Sequence, residues 1–115
     1  MFVARNIQLV RDFYAAGLAF DDADRLSFFA PGAVWHVPGE NPVSGPYSGP
    51  DAITRDIAAR MAPLDRWELD VVNVMGNANM VVATIRVRGT RHGVSIDTDG
   101  AHAFRFDANG HVVEA

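Results

Sequence analysis

The sequence contains no cysteine. This absence excludes disulfides, zinc–thiolate sites, iron–sulfur clusters and thiol catalysis. Long apolar runs are also missing, because the longest uninterrupted one, residues 80–85, is far shorter than the roughly 20 residues that span a bilayer. The first residues lack the basic-then-apolar order of a signal peptide. The sequence therefore predicts a soluble, cytoplasmic protein that does not interact with a membrane.

Positive charge is scarce as well. The chain has 10 Lys and Arg against 14 Asp and Glu, a formal net charge of −4, whereas a nucleic-acid-binding protein carries a basic surplus. The hydrophobic fraction of 49% is too high for intrinsic disorder. A length of 115 residues suits one hydrophobic core. We therefore predict a single domain over residues 1–115 with no nucleic-acid partner.

The first half of the chain has helical patterning. Residues 3–18 carry apolar side chains three or four apart, which predicts one amphipathic helix. Residues 23–29 fit a short second helix that Pro31 and Gly32 terminate. A third helix is predicted over residues 50–62, because a proline stands at its first position and its apolar residues are four apart.

The second half has strand patterning. A first strand is already predicted at residues 33–37, and it is followed by a structured loop at 38–50 that is rich in proline and glycine. Further strands are predicted at 67–75, 80–88, about 94–106 and 111–114, with turns at 76–79 and 107–110 and a polar connection at 89–93. Such short turns imply antiparallel neighbours. The short last strand is expected to leave its edge of the sheet either more open or dependent on a partner chain.

These elements predict an α+β fold, with helices packed on one face of a curved antiparallel sheet. A curved sheet closed by helices encloses an apolar interior with one open mouth. Small-molecule sites favour such places. The expected partner is therefore a hydrophobic small molecule.

The order of the motifs adds a resemblance to a known family. It rests on the helix at 10–16, the segment 26–39, the loop 41–49, the helix start at 50–53, and the late segments 103–106 and 109–114. In this order and spacing the chain resembles the SnoaL-like polyketide cyclase and ketosteroid isomerase group of the nuclear-transport-factor-two-like superfamily. The resemblance implies a cone-shaped barrel, a sheet wrapped around three N-terminal helices, an apolar pocket and a homodimer formed through the outer face of the sheet.

The resemblance also assigns candidate catalytic residues. Tyr14 stands at the position of the oxyanion-binding tyrosine, His36 at that of the catalytic base, and His102 at that of the protonated acid. Histidine replaces both carboxyl groups of the family's isomerases, which argues against steroid isomerisation itself. A neutral imidazole can still act as acid or base near neutral pH. The implied activity is general acid–base catalysis, of isomerase, cyclase or lyase type, on a hydrophobic carbonyl-bearing or cyclic substrate.

Strand alternation predicts which side chains line the pocket. His102, Phe104 and Phe106 share one face of their strand. On the first strand, His36 is expected to face the pocket, and Trp35 the opposite side, as a core, dimer-interface or ligand contact. The candidate substrate-contacting residues are Trp35, Phe29, Phe104 and Phe106.

Simpler interpretations stay open for every one of these residues. The histidines can be hydrogen-bonded polar residues of the core, and Tyr14 and the phenylalanines can be core residues. The domain can then be a non-catalytic ligand-binding or dimerisation module, or a purely structural domain whose aromatic side chains fill the cone. The four histidines show no short metal-ligand spacing, and the glycines near residue 45 form no phosphate-binding loop. We therefore expect no metal and no cofactor.

Overall fold

A computed structural model describes residues 2–16, 28–39, 43–56, 59–60, 66–77 and 79–115. Most of the predicted second helix and the part of the 38–50 loop that contains Glu40 lie outside the described residues. The elements, in chain order, are α1 (Phe2–Ala16), β1 (Phe29–Val37), β2 (Gly45–Ser48), a π-helical segment (Ala52–Asp56), β3 (Arg66–Gly76), β4 (Met80–Arg91), β5 (Val94–Phe106) and β6 (Val112–Glu114).

Helix α1 buries one side of its surface, as its periodicity predicts. Val10 is fully buried, and Ile7, Leu9, Phe13 and Tyr14 pack against the core. Asn6, one turn before Val10, is also buried and only 2% exposed. Because the i, i+4 and i+8 positions of a helix lie close to one face, Asn6, Val10 and Tyr14 point broadly towards the sheet.

The six strands form one sheet in the order β2-β1-β6-β5-β4-β3. All neighbouring pairs are antiparallel except β1 and β6, which are parallel. The α+β class and the curved sheet are thus as predicted, but the sheet is mixed. The cause is the last turn: β6 reverses direction from β5 and enters between β5 and β1, where it runs alongside β1.

Strand β6 is therefore an interior strand, paired on both sides, and it does not form the open edge that the sequence predicts. The backbone N–H of Ala115 donates to the Val34 carbonyl at 2.9 Å, and that of His36 donates to the Ala115 carbonyl at 2.7 Å. These bonds, with the β5 pairing of Arg105 to Glu114, join the β2-β1 pair to the three long strands. Strand β6, which makes this connection, is only three residues long.

Two predicted boundaries on β1 and β2 are wrong. The strand β1 begins at Phe29, where the second helix was expected to continue, and it accommodates Pro31 and Gly32 within an irregularity between Phe29 and Val34. Residues 45–48 form strand β2 inside the predicted loop, with Pro46 opposite His36. Proline is tolerated there because β2 is an edge strand, in which a missing N–H removes no bond of the sheet interior.

The long strands extend further than their sequence pattern indicates. Strand β4 reaches Arg91 and β5 begins at Val94, so the predicted polar connection shrinks to a two-residue turn. His92 and Gly93 adopt φ values of 51° and 78°, the left-handed pair that a tight hairpin requires. The predicted third helix begins at Pro50 but becomes π-helical at Ala52–Asp56.

The core lies between α1 and the inner face of the sheet. Its least exposed residues come from α1, β1, β4, β5 and β6: Val10, Phe29, Ala33, Val81, Ala83, Phe104 and Val112. On β4 the inward positions are Val81, Ala83 and Ile85, at 4% exposure or less, whereas the arginines Arg86 and Arg88 occupy outward positions. Alternation therefore gives the sheet an apolar inner face and a charged outer face.

Candidate functional site

Tyr14 and His102 meet on the inner face of the sheet. The Tyr14 hydroxyl oxygen and His102 Nδ1 are 2.5 Å apart, a short hydrogen bond between residues 88 positions apart in sequence. Their rings are close to parallel, with centroids 5.9 Å apart and an interplanar angle of 15°. The helix supplies the phenol and β5 supplies the imidazole, so the pair exists only when α1 is docked on the sheet.

Aromatic rings surround this hydrogen bond. The Trp35 ring lies 5.1 Å from the His102 ring at 78°, and Phe104 lies 6.4 Å from it. Phe13 and Phe104 make edge contacts with Tyr14 at 5.3 and 6.1 Å. The pair is thus held in a nearly apolar environment, where hydrogen bonds strengthen and charges are costly.

Burial keeps both members of the pair uncharged. It lowers the pKa of His102 to about 4, and it raises the pKa of Tyr14 above its ordinary value. At neutral pH the site therefore contains a neutral imidazole bonded to a neutral phenol. Which atom donates depends on the imidazole tautomer: either the phenol O–H donates to Nδ1, or Nδ1–H donates to the phenol oxygen.

The expectation that His36 faces the pocket is wrong, and the predicted orientations of Trp35 and His36 are reversed. Trp35 is only 9% exposed and packs inward, while the His36 side chain is 55% exposed on the opposite face. His36 Nε2 lies 3.2 Å from a carboxylate oxygen of Glu114. The inward residues of β1 are Ala33, Trp35 and Val37, so this strand presents no ionisable group to the interior.

Glu114 is a hydrogen-bond partner of His36 that was not predicted from the sequence. On the outer face it accepts from Arg105 Nε at 3.4 Å and contacts His36. These two hydrogen bonds, with His36 the larger cause, lower the pKa of the Glu114 carboxyl. His36 thus belongs to an exposed polar cluster, formed with Glu114 and Arg105, that crosses β1, β6 and β5 on the face opposite the aromatic interior.

The four predicted pocket residues lie together in the interior. Phe29, Trp35, Phe104 and Phe106 are 1%, 9%, 0% and 5% exposed. Trp35 contacts Phe29 at 6.3 Å and Phe104 at 5.4 Å between ring centroids. Phe28, which contacts Phe13, Phe29, Phe104 and Phe106, belongs to the same cluster. Their contact with a substrate stays a prediction.

The interior also contains the side chain of Asn6, a polar group that was not predicted from the sequence. The Asn6 side-chain oxygen is buried and has no hydrogen-bond partner among the described residues. The available signal was an asparagine one turn before Val10 in an otherwise apolar helix face. An unpartnered buried amide oxygen costs about 1–3 kcal/mol.

A separate open groove lies at the far end of the sheet. Its volume is about 390 Å³, and its lining includes Glu68, Arg88, Thr90 and Asp97, which occupy outward positions of β3, β4 and β5. Nearby, Arg86 donates two hydrogen bonds to Asp97, at 2.8 and 3.1 Å. All these charged groups are exposed, and the Tyr14–His102 pair is on the other face.

Neither a metal-binding cluster nor a membrane-spanning helix is found in the described part of the chain. No group of three or more histidine, aspartate or glutamate side chains there is arranged to hold a metal ion. None of the described helices is both long and apolar enough to cross a membrane.

Comparison with known proteins gives a consistent result. The family model of the SnoaL-like domain matches residues 10–115. No curated protein matches the chain. Among solved structures, an NTF2-like protein from Burkholderia thailandensis E264 has a TM-score of 0.83 at 28% identity, with 99% of this chain and 88% of that chain covered.

Two more distant structures share the fold. One is described as a SnoaL-like polyketide cyclase from Jannaschia sp. CCS1, with a TM-score of 0.76, 19% identity, and coverage of 98% of this chain and 83% of that chain. The other is TerC co-crystallised with polyporic acid, with a TM-score of 0.78, 21% identity, and coverage of 95% and 86%.

Proposed function

Because the chain belongs to the SnoaL-like domain family, we propose that it is a cofactor-independent enzyme of isomerase, cyclase or lyase type. Tyr14 and His102 are its catalytic pair, and the substrate is a hydrophobic carbonyl-bearing or cyclic molecule. The observation that carries this proposal is the 2.5 Å hydrogen bond between two uncharged, titratable side chains inside an aromatic cluster.

The neutral pair can offer a proton donor and a proton acceptor at the same time. When Nδ1–H of His102 donates to the Tyr14 oxygen, the Tyr14 O–H is available to a substrate carbonyl and Nε2 carries a lone pair. When the proton is on Nε2 instead, Nε2–H is the donor and the Tyr14 oxygen is the acceptor. Each tautomer therefore presents one acid and one base.

A proton relay through the pair enolises a ketone without net charge. Nε2 of His102 takes the proton from the carbon next to the carbonyl, Nδ1–H passes its proton to the Tyr14 oxygen, and Tyr14 O–H protonates the carbonyl oxygen. The substrate becomes an enol, and the imidazole changes tautomer. An uncharged route suits this interior, since separated ions are costly in apolar surroundings.

Enolisation is the shared first step of the reaction types named above. A double-bond shift, an intramolecular ring closure and an elimination can each begin from an enol next to a carbonyl. The aromatic rings around His102 favour a flat ring system as substrate, because such a molecule packs against Trp35 and Phe104. TerC, which shares the fold, was co-crystallised with polyporic acid, and this supports ligand binding by such a domain.

Deuterium exchange into a model ketone tests the proposal without knowledge of the natural substrate. The probe is 2-tetralone in D₂O, followed by proton NMR at the carbons next to the carbonyl. Wild-type protein is expected to accelerate exchange, and Tyr14→Phe and His102→Gln to reduce this acceleration by about 100-fold or more. His111→Gln is the matched histidine control, since His111 lies in the turn after β5 and contacts Asp107. Equal exchange in all four proteins contradicts the proposal.

The second candidate is a non-catalytic ligand-binding domain of the same fold. It is favoured by the pKa of His102, about 4, because a general base works best when its pKa lies near the operating pH. Under this alternative 2-tetralone raises the melting temperature of the wild-type protein and of both variants, and exchange stays at the rate of buffer alone.

The proposal also includes the oligomeric state and the cellular location of the protein. We propose a homodimer through the outer sheet face, where Met75 and Met80 are 45% and 40% exposed. Burial of these side chains by a second copy would remove apolar surface from water. Sedimentation velocity of the wild-type protein and of Met75→Asp tests it, with a shift to monomer expected for the variant. We also propose a cytoplasmic location, and this proposal rests on the sequence alone.

A further inference from the structure

Trp35 is the closest aromatic neighbour of His102 among the described residues. Its ring centroid is 5.1 Å from that of His102, compared with 5.9 Å for Tyr14 and 6.4 Å for Phe104. The two rings are nearly perpendicular, at 78°. The imidazole therefore has a parallel ring, Tyr14, as one neighbour and a perpendicular one, Trp35, as another.

The strand register explains how Trp35 reaches a residue two strands away. Strand β6 separates β1 from β5, and Val34 pairs with Glu114, so Ala115 stands beside Trp35. Ala115 packs against the core with a single methyl group. Because Arg105 also pairs with Glu114, Phe104 stands on the other side of Ala115, and His102 lies two residues further along the same face of β5, beyond the end of β6. The indole therefore reaches His102 past the small side chain of Ala115.

The indole is itself fixed by its surroundings. Trp35 is 9% exposed and contacts Phe13, Phe29 and Phe104, with ring centroids 6.1, 6.3 and 5.4 Å away. The hydrogen bond to Tyr14 fixes only Nδ1 of His102 and leaves the ring free to tilt about that point. A rigid perpendicular ring restricts this tilt.

We propose that Trp35 is a positioning residue for His102: it holds the imidazole against Tyr14 in one orientation and excludes water from that side. The inference rests on the proposed catalytic pair for its functional meaning. Its test measures the state of His102 directly and needs no turnover, so failure of the exchange assay leaves it intact. Equally, an active enzyme with an unaffected His102 in the Trp35 variant overturns only this inference.

Histidine ¹⁵N NMR is the main experiment. The protein carries four histidines, and His102→Gln identifies the signals of His102 by their loss. In the wild-type protein we expect one dominant tautomer and half-titration near pH 4. Trp35→Leu is expected to raise that midpoint by about one pH unit or more and to average the two tautomers, because water reaches the ring and its tilt is no longer restricted.

Matched variants separate positioning from general disruption. Trp67→Leu removes the other tryptophan, which is 39% exposed on β3, and is expected to leave the His102 midpoint and tautomer unchanged. Trp35→Phe keeps an aromatic ring and is expected to restore most of the wild-type behaviour. A Trp35→Leu protein whose His102 signals match those of the wild type overturns the proposal.

A fluorescence measurement covers the case in which Trp35→Leu does not fold. In the Trp67→Phe protein, Trp35 is the single tryptophan, and a protonated imidazole in contact with an indole quenches its emission. The emission is expected to fall on acidification with the midpoint that NMR gives for His102. Emission that does not change as His102 titrates contradicts the inferred contact and overturns the proposal.

Discussion

The two faces of the sheet place the same residue type in opposite environments. On the inner face, His102 lies among rings and its pKa falls to about 4. On the outer face, the His36 side chain is 55% exposed and lies 3.2 Å from Glu114. One histidine is held neutral by burial, and the other is exposed and hydrogen-bonded to a carboxylate. The surroundings of a histidine in this sheet therefore depend on which face of its strand the side chain occupies.

The same contrast extends to the arginines and the aromatics. The described strands β4 and β5 direct Arg86 and Arg105 outward into ion pairs with Asp97 and Glu114. Their inward neighbours Ile85 and Phe104 are at most 4% exposed. Successive positions of one strand therefore supply either core packing or surface charge, and these contribute very differently to stability.

The largest expected effect is loss of packing on the inner face. Phe104→Ala removes a fully buried ring that contacts Phe13, Tyr14, Phe28, Trp35 and His102. We expect a loss of about 3–5 kcal/mol in the free energy of unfolding, measured by urea denaturation. Arg86→Ala on the outer face is the control and is expected to change stability far less, with the difference vanishing in about 1 M salt. Equal losses would contradict the division between the two faces.

The next effect concerns stability between pH 6.5 and 4. Because the pKa of His102 is about 4 in the folded protein against 6.5 as its ordinary value, the unfolded chain binds the proton first as the pH falls. Stability should therefore decrease from pH 6.5 to about 4 and lose about 3 kcal/mol from this group, at about 1.4 kcal/mol per unit.

Denaturation curves across that pH window test this sign. His102→Gln cannot take up the proton, so its stability should vary less with pH than that of the wild type. Carboxyl groups with a lowered pKa, such as those of Asp97 and Glu114, add stability that is lost as the pH falls through their ordinary values of 3.8 and 4.5, and this loss is the same in both proteins. The same slope in the variant and the wild type would show that His102 is not held neutral.

The smallest effect is expected at the exposed histidine. His36→Gln should leave the exchange of 2-tetralone within about twofold of the wild type, because His36 lies on the face opposite the Tyr14–His102 pair. His102→Gln in the same assay should lose most of the acceleration. A loss of activity in His36→Gln as large as that in His102→Gln would restore the sequence-based prediction of His36 as the base.

Much of the architecture could be predicted, because periodicity reports it directly. The long strands and α1 follow from the spacing of their apolar residues, and the resemblance named Tyr14 and His102 as candidate catalytic residues. The faces of β1 did not follow: alternation separates Trp35 from His36 but does not state which points inward, and a shift of one residue exchanges the two. The inward neighbours Ala33 and Val37, both apolar, were the available clue.

Other differences come from contacts between distant segments. Strand β2 contains Pro46 and forms only because β1 offers it a partner. The position of β6 depends on pairing with β1, which precedes it by about 75 residues, and no local pattern records such a pairing. Asn6 illustrates a further limit, since its place on the apolar face of α1 indicates burial but does not show whether its amide oxygen has a partner.

The three-residue strand β6 has a consequence for biosynthesis. Of the described elements it is the last to leave the ribosome, yet it supplies the middle of the sheet. While translation proceeds, the β2-β1 ribbon and the long hairpins can form separately, each with an apolar face that still lacks its neighbour. The sheet can close only after residue 114 has emerged. Until then β1, the strand that carries Trp35, lacks the strand that joins it to β5, and unpaired strand edges of this kind make a nascent chain prone to aggregation.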